Sequence, residues 1–304
     1  MKLNLSASSS TCKYPLLNPP LFNNPSSISR HFTKGWRLSS CKKHKFASIK
    51  AVNTTSWDEK PFEILPDGKR VYLDEQDVIT FLDPPKELYP LDPSSYNPAS
   101  YLWKKISDIP EERRHRLLYL LSPGLISAAW EVAGGRYDDA KLAKMSSSTL
   151  LAGENDGLSL EYWNGRKSGG PLPLGLFSYF QKALFRQNEG IYGRIIGVSQ
   201  LARMATSSSP LYFTVKEAHE VMPTEQPCDL AYEFGDGLLD LRDYPEGFPL
   251  SAKHPWPFND ELVIYVRHLG PGVMVGQVWQ EGLTLEQIPK KLCSEILMVK
   301  NYCA

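Results

Sequence analysis

The apolar positions of this chain change their period once, between residues 151 and 158. Before that point they recur at helical spacing. Asn97 can cap a helix that starts at Pro98 and carries Tyr101, Leu102 and Ile106. Pro110 opens a second, with Glu111 and Glu112 at its positive end and an apolar set of Leu117, Leu118, Leu120 and Leu121. A third runs from Leu125 to Ala133 and stops at Gly134-Gly135, and Asp138 caps a fourth with Leu142, Ala143 and Met145. This predicts a helical subdomain over residues 98–151. Residues 52–97 read as an extended lead-in: a short strand at Lys69–Leu73, a short helix from Asp74 to Leu82, then a loop set by Pro84, Pro85, Pro90 and Pro93.

Residues 152–304 carry mostly strand signals. Leu158, Leu160 and Tyr162 alternate with Ser159, Glu161 and Trp163. Ile191–Val198 and Leu211–Met222 read as further strands. Leu230–Phe234 and Leu238–Arg242 flank Gly235-Asp236-Gly237, and Leu262–Leu269 and Val273–Trp279 flank Gly270-Pro271-Gly272, two hairpin signals. Leu174–Gln187 reads as a helix, and Leu285–Tyr302 fits a helix, a strand or both. The fold class expected is α+β, a helical subdomain followed by an antiparallel, barrel-like sheet.

Composition changes the picture most at the amino terminus. The first acidic residue is Asp58, yet nine Lys and Arg precede it among many serines. An acid-free, hydroxyl-rich basic leader without an uninterrupted apolar core is the composition of an organelle transit peptide. Lys outnumbers Arg and prolines break every helix, which favours the chloroplast, with cleavage near Ala51. The address expected is the stroma or the stromal face of the thylakoid. Nine of the 34 basic residues leave with the leader, so 25 face 34 acidic ones, a formal net charge of −9. Such a balance disfavours nucleic acid as a partner. Cys12 and Cys41 lie in the leader, and Cys228, Cys293 and Cys303 have no zinc-ligand spacing, so no metal is expected, and a Cys293–Cys303 disulfide is one option.

No nucleotide or catalytic motif is complete, and no cofactor is expected. If Leu211–Met222 is one strand, Glu217 and His219 share a face with Leu211, Phe213 and Val215, and an inward Glu/His pair could move a proton. The alternative places both at a wet barrel mouth. Arg194 and Arg267 could hold a carboxylate or phosphate if they face inward. The basic cluster Arg113-Arg114-His115-Arg116 could touch an anionic lipid surface or form a solvated face. Tyr162, Trp163, Tyr192, Phe213, Tyr232, Phe234, Tyr265 and Trp279 fall on expected strands, where aromatics line a pocket for an apolar ligand or pack a core.

The run Trp163-Asn164-Gly165-Arg166, followed by Gly170-Pro171-Leu172 and Leu174-Gly175-Leu176, resembles the opening of the small calycin-like barrel domains named for a GxWxG motif; Glu161 stands where its first Gly would be. The resemblance spans about fifteen residues and implies a barrel, not a function. Three functions stay open: binding a hydrophobic plastid molecule (lipid, carotenoid or tetrapyrrole), serving a thylakoid membrane complex as an auxiliary or assembly factor, or an isomerase- or hydrolase-type activity using His219 and Glu217.

Overall fold

The computed structural model describes residues 60–84, 97–144, 160–169, 178–187, 190–241, 243–259, 261–282 and 287–302. The basic leader, the Pro85–Pro93 segment, the 153–157 turn and residues 170–177 lie outside these, as do Cys303 and the Cys293 side chain. A two-stranded ribbon, β1 (Phe62–Ile64) and β2 (Arg70–Tyr72), leads into α1 (Leu73–Leu82). The helical region continues with α2 (Pro98–Asp108), a 3-10 turn at Glu111–Arg116, α3 (Leu117–Leu120), α4 (Pro123–Gly134) and a second 3-10 turn at Gly135–Asp138. Asn97 caps α2 as its sequence predicts, its side chain accepting from the Ala99 and Ser100 amides. The apolar stretch at 117–133 is split between helices that bend by 120°, and no single helix among the described residues is long and apolar enough to cross a membrane.

Beyond the helices lies an eight-stranded closed barrel. Its strands are β3 (Glu161–Lys167), β4 (Tyr179–Gln187), β5 (Gly190–Gly197), β6 (Leu211–Glu217), β9 (Leu230–Glu233), β10 (Leu262–Gly270), β11 (Val273–Gln280) and β12 (Lys290–Lys300). They neighbour one another in the order β10–β11–β12–β3–β4–β5–β6–β9, all antiparallel, and β9 closes back onto β10. A small ribbon, β7 (Glu220–Val221) with β8 (Gln226–Pro227), sits between β6 and β9 in sequence. Helix α5 (Gln200–Ser208), capped by Ser199, follows β5.

Three sequence expectations need correction. The segment read as a helix at Leu174–Gln187 is strand β4 over Tyr179–Gln187. Both its faces are buried, Phe180 and Leu184 on one and Ala183 and Phe185 on the other, so its apolar run imitates helical spacing. The strand read at Leu211–Met222 ends at Glu217. Leu238–Asp240 is not a strand either, and Arg242 lies outside the described residues. Gly235 and Gly237 adopt positive φ, and the chain then leaves the barrel as an irregular cover, tied back by the His254 amide donating to the Asp236 carbonyl at 2.8 Å. The carboxy-terminal segment is a strand, and α5 appears where no element is expected, although Ser199 carries its capping signal.

Two apolar clusters lie on opposite faces of β10. Val263, Tyr265 and Leu269 pack with Leu102, Ile106, Trp130 and other helical residues. Leu262, Ile264 and Val266 pack with Trp163, Phe180, Phe213, Tyr232, Met274 and Met298 inside the barrel. A third layer forms outside β4–β6, where Phe185 meets Tyr192, Tyr212 and Phe248 at centroid distances of 6.0, 6.5 and 6.0 Å. Glycines on the inner face admit the large rings: a Cβ on Gly193 would stand 2.1 Å from Phe213 Cζ. Gly193→Val should therefore cost about 3 kcal/mol through overpacking. Gly124→Ala, which meets nothing within 4 Å, should stay within about 0.5 kcal/mol, and urea titration of both variants compares them.

Candidate functional site

The barrel registers sort the sequence-predicted residues into three environments. Trp163, Phe213 and Tyr232 point into the barrel, where Phe213 stacks on Tyr232 with centroids 4.9 Å apart and meets Phe234 at 5.3 Å. These rings pack the interior: a Cβ on Gly165 would fall 2.3 Å from the Phe180 ring. They do not border the cleft described below.

Tyr265, Arg267 and Trp279 lie on the opposite face, toward the helices. The Tyr265 hydroxyl donates to Glu281, and burial together with that carboxylate pushes the phenol up. Trp279 Nε1 donates to Gln277 Oε1 at 3.3 Å. Arg267 stacks 3.8 Å over Trp130 and donates to the carbonyls of Trp130 and Pro227 at 2.8 and 2.7 Å. It is a buried brace between α4 and the barrel, not an inward anion clamp. Arg113 and Arg114 are buried as well. Arg113 pairs with Asp74 and Glu75, and Arg114 donates to the carbonyls of Ile109 and Pro271, so neither is the lipid-facing or solvated cation of the sequence reading.

Arg194 and Tyr162 occupy the third environment, the outer face of β3–β6, where Tyr162, Ala183, Arg194 and Tyr212 form one cross-strand row. Arg194 borders an open cleft of about 580 Å³ between β5, α5 and the 247–249 loop. Ile196, Phe248 and Pro249 give the cleft apolar lining, and Arg203, Thr206 and Ser207 of α5 give it a polar side. Gly197 is what lets α5 lie directly on β5, since a Cβ there would meet the Ala202 carbonyl carbon at 2.3 Å. Thr206 then accepts from the Gly197 amide at 3.2 Å, and its carbonyl accepts from Arg194 Nη2 at 2.9 Å. Arg194 is 6% exposed, its Nε has no partner, and its guanidinium lies 5.1 Å from the Phe248 ring centre. Burial lowers its pKa somewhat, but a guanidinium stays charged in any protein. Among the described residues, neither Arg194 nor Arg203 has a carboxylate within ion-pair distance. Among the described residues, the cleft thus presents two cations without ion-pair partners beside apolar surface.

Glu217 and His219 are exposed: Glu217 is the last residue of β6, paired with Leu230 at the end of the barrel, and His219 lies beyond the strand. The inward acid/base pair is not formed. A different buried group escaped the sequence reading. Asp229 accepts from His268 Nδ1 at 2.9 Å, from the His268 amide at 2.8 Å and from Arg136. Burial would raise this carboxyl, but the hydrogen bonds from His268 and Arg136 outweigh it and hold it well below the usual range. Asp229 follows Cys228 in a connection without periodicity, so no sequence signal marks it. Burial pushes the Cys228 thiol up to about 12, which leaves it inert as a nucleophile at neutral pH.

Compared with known proteins, the chain matches no family model, no curated protein and no solved structure. The Trp163–Arg166 run lies on β3 of the closed barrel.

Two buried imidazoles generate a pH prediction. Burial lowers the pKa of both His254 and His268. His254 Nε2 accepts from the Tyr212 amide at 3.1 Å, a bond that protonation would break. Imidazoles depressed in the fold contribute stability above their unfolded value of about 6.5 and lose it as pH falls below that value. Asp229, also depressed, loses its contribution only at pH values below about 3.9. The melting temperature should drop between pH 7 and 5, before most carboxylates titrate. The slope is at most about 1.4 kcal/mol per pH unit for each imidazole, and His268→Gln should flatten it in calorimetry at stepped pH.

Proposed function

We propose that this protein is imported into the chloroplast, loses its leader near Ala51 and binds an apolar molecule bearing an anionic group. The binding site is the cleft beside Arg194 rather than the barrel interior. One observation carries the reading: two guanidinium groups, neither with a carboxylate within ion-pair distance among the described residues, stand beside Ile196, Phe248 and Pro249 in a cleft of about 580 Å³. That volume is in the range of small-molecule sites, which join apolar walls to a few polar groups that fix orientation. Arg can hold a carboxylate or phosphate through two parallel hydrogen bonds. A fatty acid, a phospholipid or the propionate of a tetrapyrrole has this chemistry, and a hydrocarbon carotenoid does not. The acid-free leader supports the plastid address and the stroma or stromal thylakoid face as the workplace. The inward pairing that the enzyme reading needs is not formed, since Glu217 and His219 are both exposed.

The test is titration of the full chain with a fluorescent long-chain fatty acid and with a tetrapyrrole acid. Arg203→Met should weaken binding about tenfold, the loss of one charge-assisted hydrogen bond, with the melting temperature of the free protein unchanged because Arg203 is exposed. Arg194→Met should weaken it at least as much and also destabilise α5. Saturable binding that is indifferent to both substitutions would remove the cleft from consideration. No binding of any anionic amphiphile would remove the function. In a chloroplast import assay, the processed protein should begin near Ala51.

A further inference from the structure

Helix α5 is held by one face and bare on the other. Ala202 and Thr206 are buried against Gly197 of β5, while Leu201 and Met204 are 68% and 70% exposed. Val198, just before the cap, is 49% exposed. Three positions separate each of these apolar residues from the next, the spacing that sets side chains next to one another on a helix surface. The close packing at Gly197 fixes which face points outward. A single exposed leucine is ordinary, but a row of three large apolar side chains on one outer face marks a surface that meets something.

Charge says what that is. From Tyr162 to Lys216, which covers nearly all of β3–β6 and the whole of α5, seven Lys and Arg stand against one acid, Glu189. From Glu217 onward, fourteen acids stand against six Lys and Arg. Arg203 is the one charged residue of α5. It is exposed, and among the described residues it has no carboxylate within ion-pair distance. It lines the Arg194 cleft one position before Met204. Glu246 precedes the loop on the other wall of the cleft and forms no ion pair with either arginine. The outer surface of α5 thus joins apolar side chains to a cation, with no acid of its own.

We propose that the outer face of α5 docks on a bilayer carrying anionic lipid. Val198, Leu201 and Met204 enter the boundary between headgroups and acyl chains, and Arg203 holds a lipid phosphate. Helices that lie in a membrane surface combine these two elements, and an anionic leaflet attracts each nearby cation. The acidic remainder of the chain is repelled by the same leaflet, which selects this orientation. The size of the face argues against a protein partner. Nine residues of helix span about 13 Å, whereas a stable protein interface needs about 800 Å² on each side. Three apolar side chains and one cation give weak, reversible attachment. With the Arg194 cleft read as an amphiphile site, on which this purpose rests, α5 brings the cleft it lines to the layer that holds the ligand.

The experiment uses the full chain labelled with 13C at the methionine methyls, and bicelles of phosphatidylcholine and phosphatidylglycerol that carry a nitroxide on the acyl chain. Met204 should lose signal as bicelles are added, while Met222, 64% exposed beyond β7, and the buried Met274 and Met298 keep theirs. Met204→Leu assigns the resonance. Leu201→Asp should lower the attenuation of Met204 about tenfold, the loss of one inserted side chain. Arg203→Gln, or bicelles of phosphatidylcholine alone, should lower it about fivefold. The basic leader also attracts anionic bicelles, but that contact does not prefer Met204 over Met222. Equal attenuation of the two overturns the proposal, and so does attenuation that Leu201→Asp or neutral lipid leaves unchanged. A dimer in sedimentation that Leu201→Asp splits assigns the face to a second copy and overturns it as well. Failure of the cleft reads differently: fatty-acid binding indifferent to Arg194→Met, with the Met204 signal still lost, removes the cleft and upholds the docking face.

Discussion

Both faces of β10 must be kept from water, and the rest of the architecture answers that demand. All nine of its residues from Leu262 to Gly270 are buried. Closing the sheet into a barrel hides Leu262, Ile264 and Val266 but leaves Val263, Tyr265 and Leu269 outside. A barrel alone cannot cover that second face, so α2 and α4 lie over it. Gly270 is part of the fit, since a Cβ there would stand 2.7 Å from Ile106. Apolar burial, at about 25 cal/mol per Å², supplies the driving force for both layers.

Polar groups then fix how the helical layer sits. Arg267 reaches from β10 to the Trp130 carbonyl near the end of α4, and Arg136 reaches from the following turn to Asp229. Asp229 also holds His268, whose ring belongs to the barrel interior. One carboxylate therefore joins the helical layer, the β9–β10 closure and the interior. A buried carboxylate with three donors is stable only as a set, because removing one donor leaves charge uncompensated. The same coupling makes the fold sensitive to acid.

The filled interior decides where ligand chemistry can occur. Inner-face glycines allow Phe180 and Phe213 to occupy space that a binding barrel would leave open. The accessible concave surface is instead outside, where α5 and the 247–249 loop meet over β5. Inside, the polar residues are few: Lys182 lies 2.6 Å from the Tyr232 hydroxyl and His268 is held by Asp229, and burial lowers the pKa of both.

The amino-acid sequence by itself determined the run of helices ahead of the barrel, the cap at Asn97 and the β10–β11 hairpin. Each depends on composition or on contacts a few residues apart. It also placed the candidate aromatics on strands, except Phe234, which follows the end of β9, and it assigned no face to them. Tertiary structure decided the rest. Whether Arg194 faces a cleft while Arg267 braces a helix depends on which layer covers each outer face, and strand periodicity treats those faces alike. The strand at β4 looked helical because burial on both sides erased its alternation. Asp229 and Lys182 acquired their chemistry from residues 39 and 50 positions away, His268 and Tyr232. Desolvation and pairing at that separation exist only once the barrel has closed.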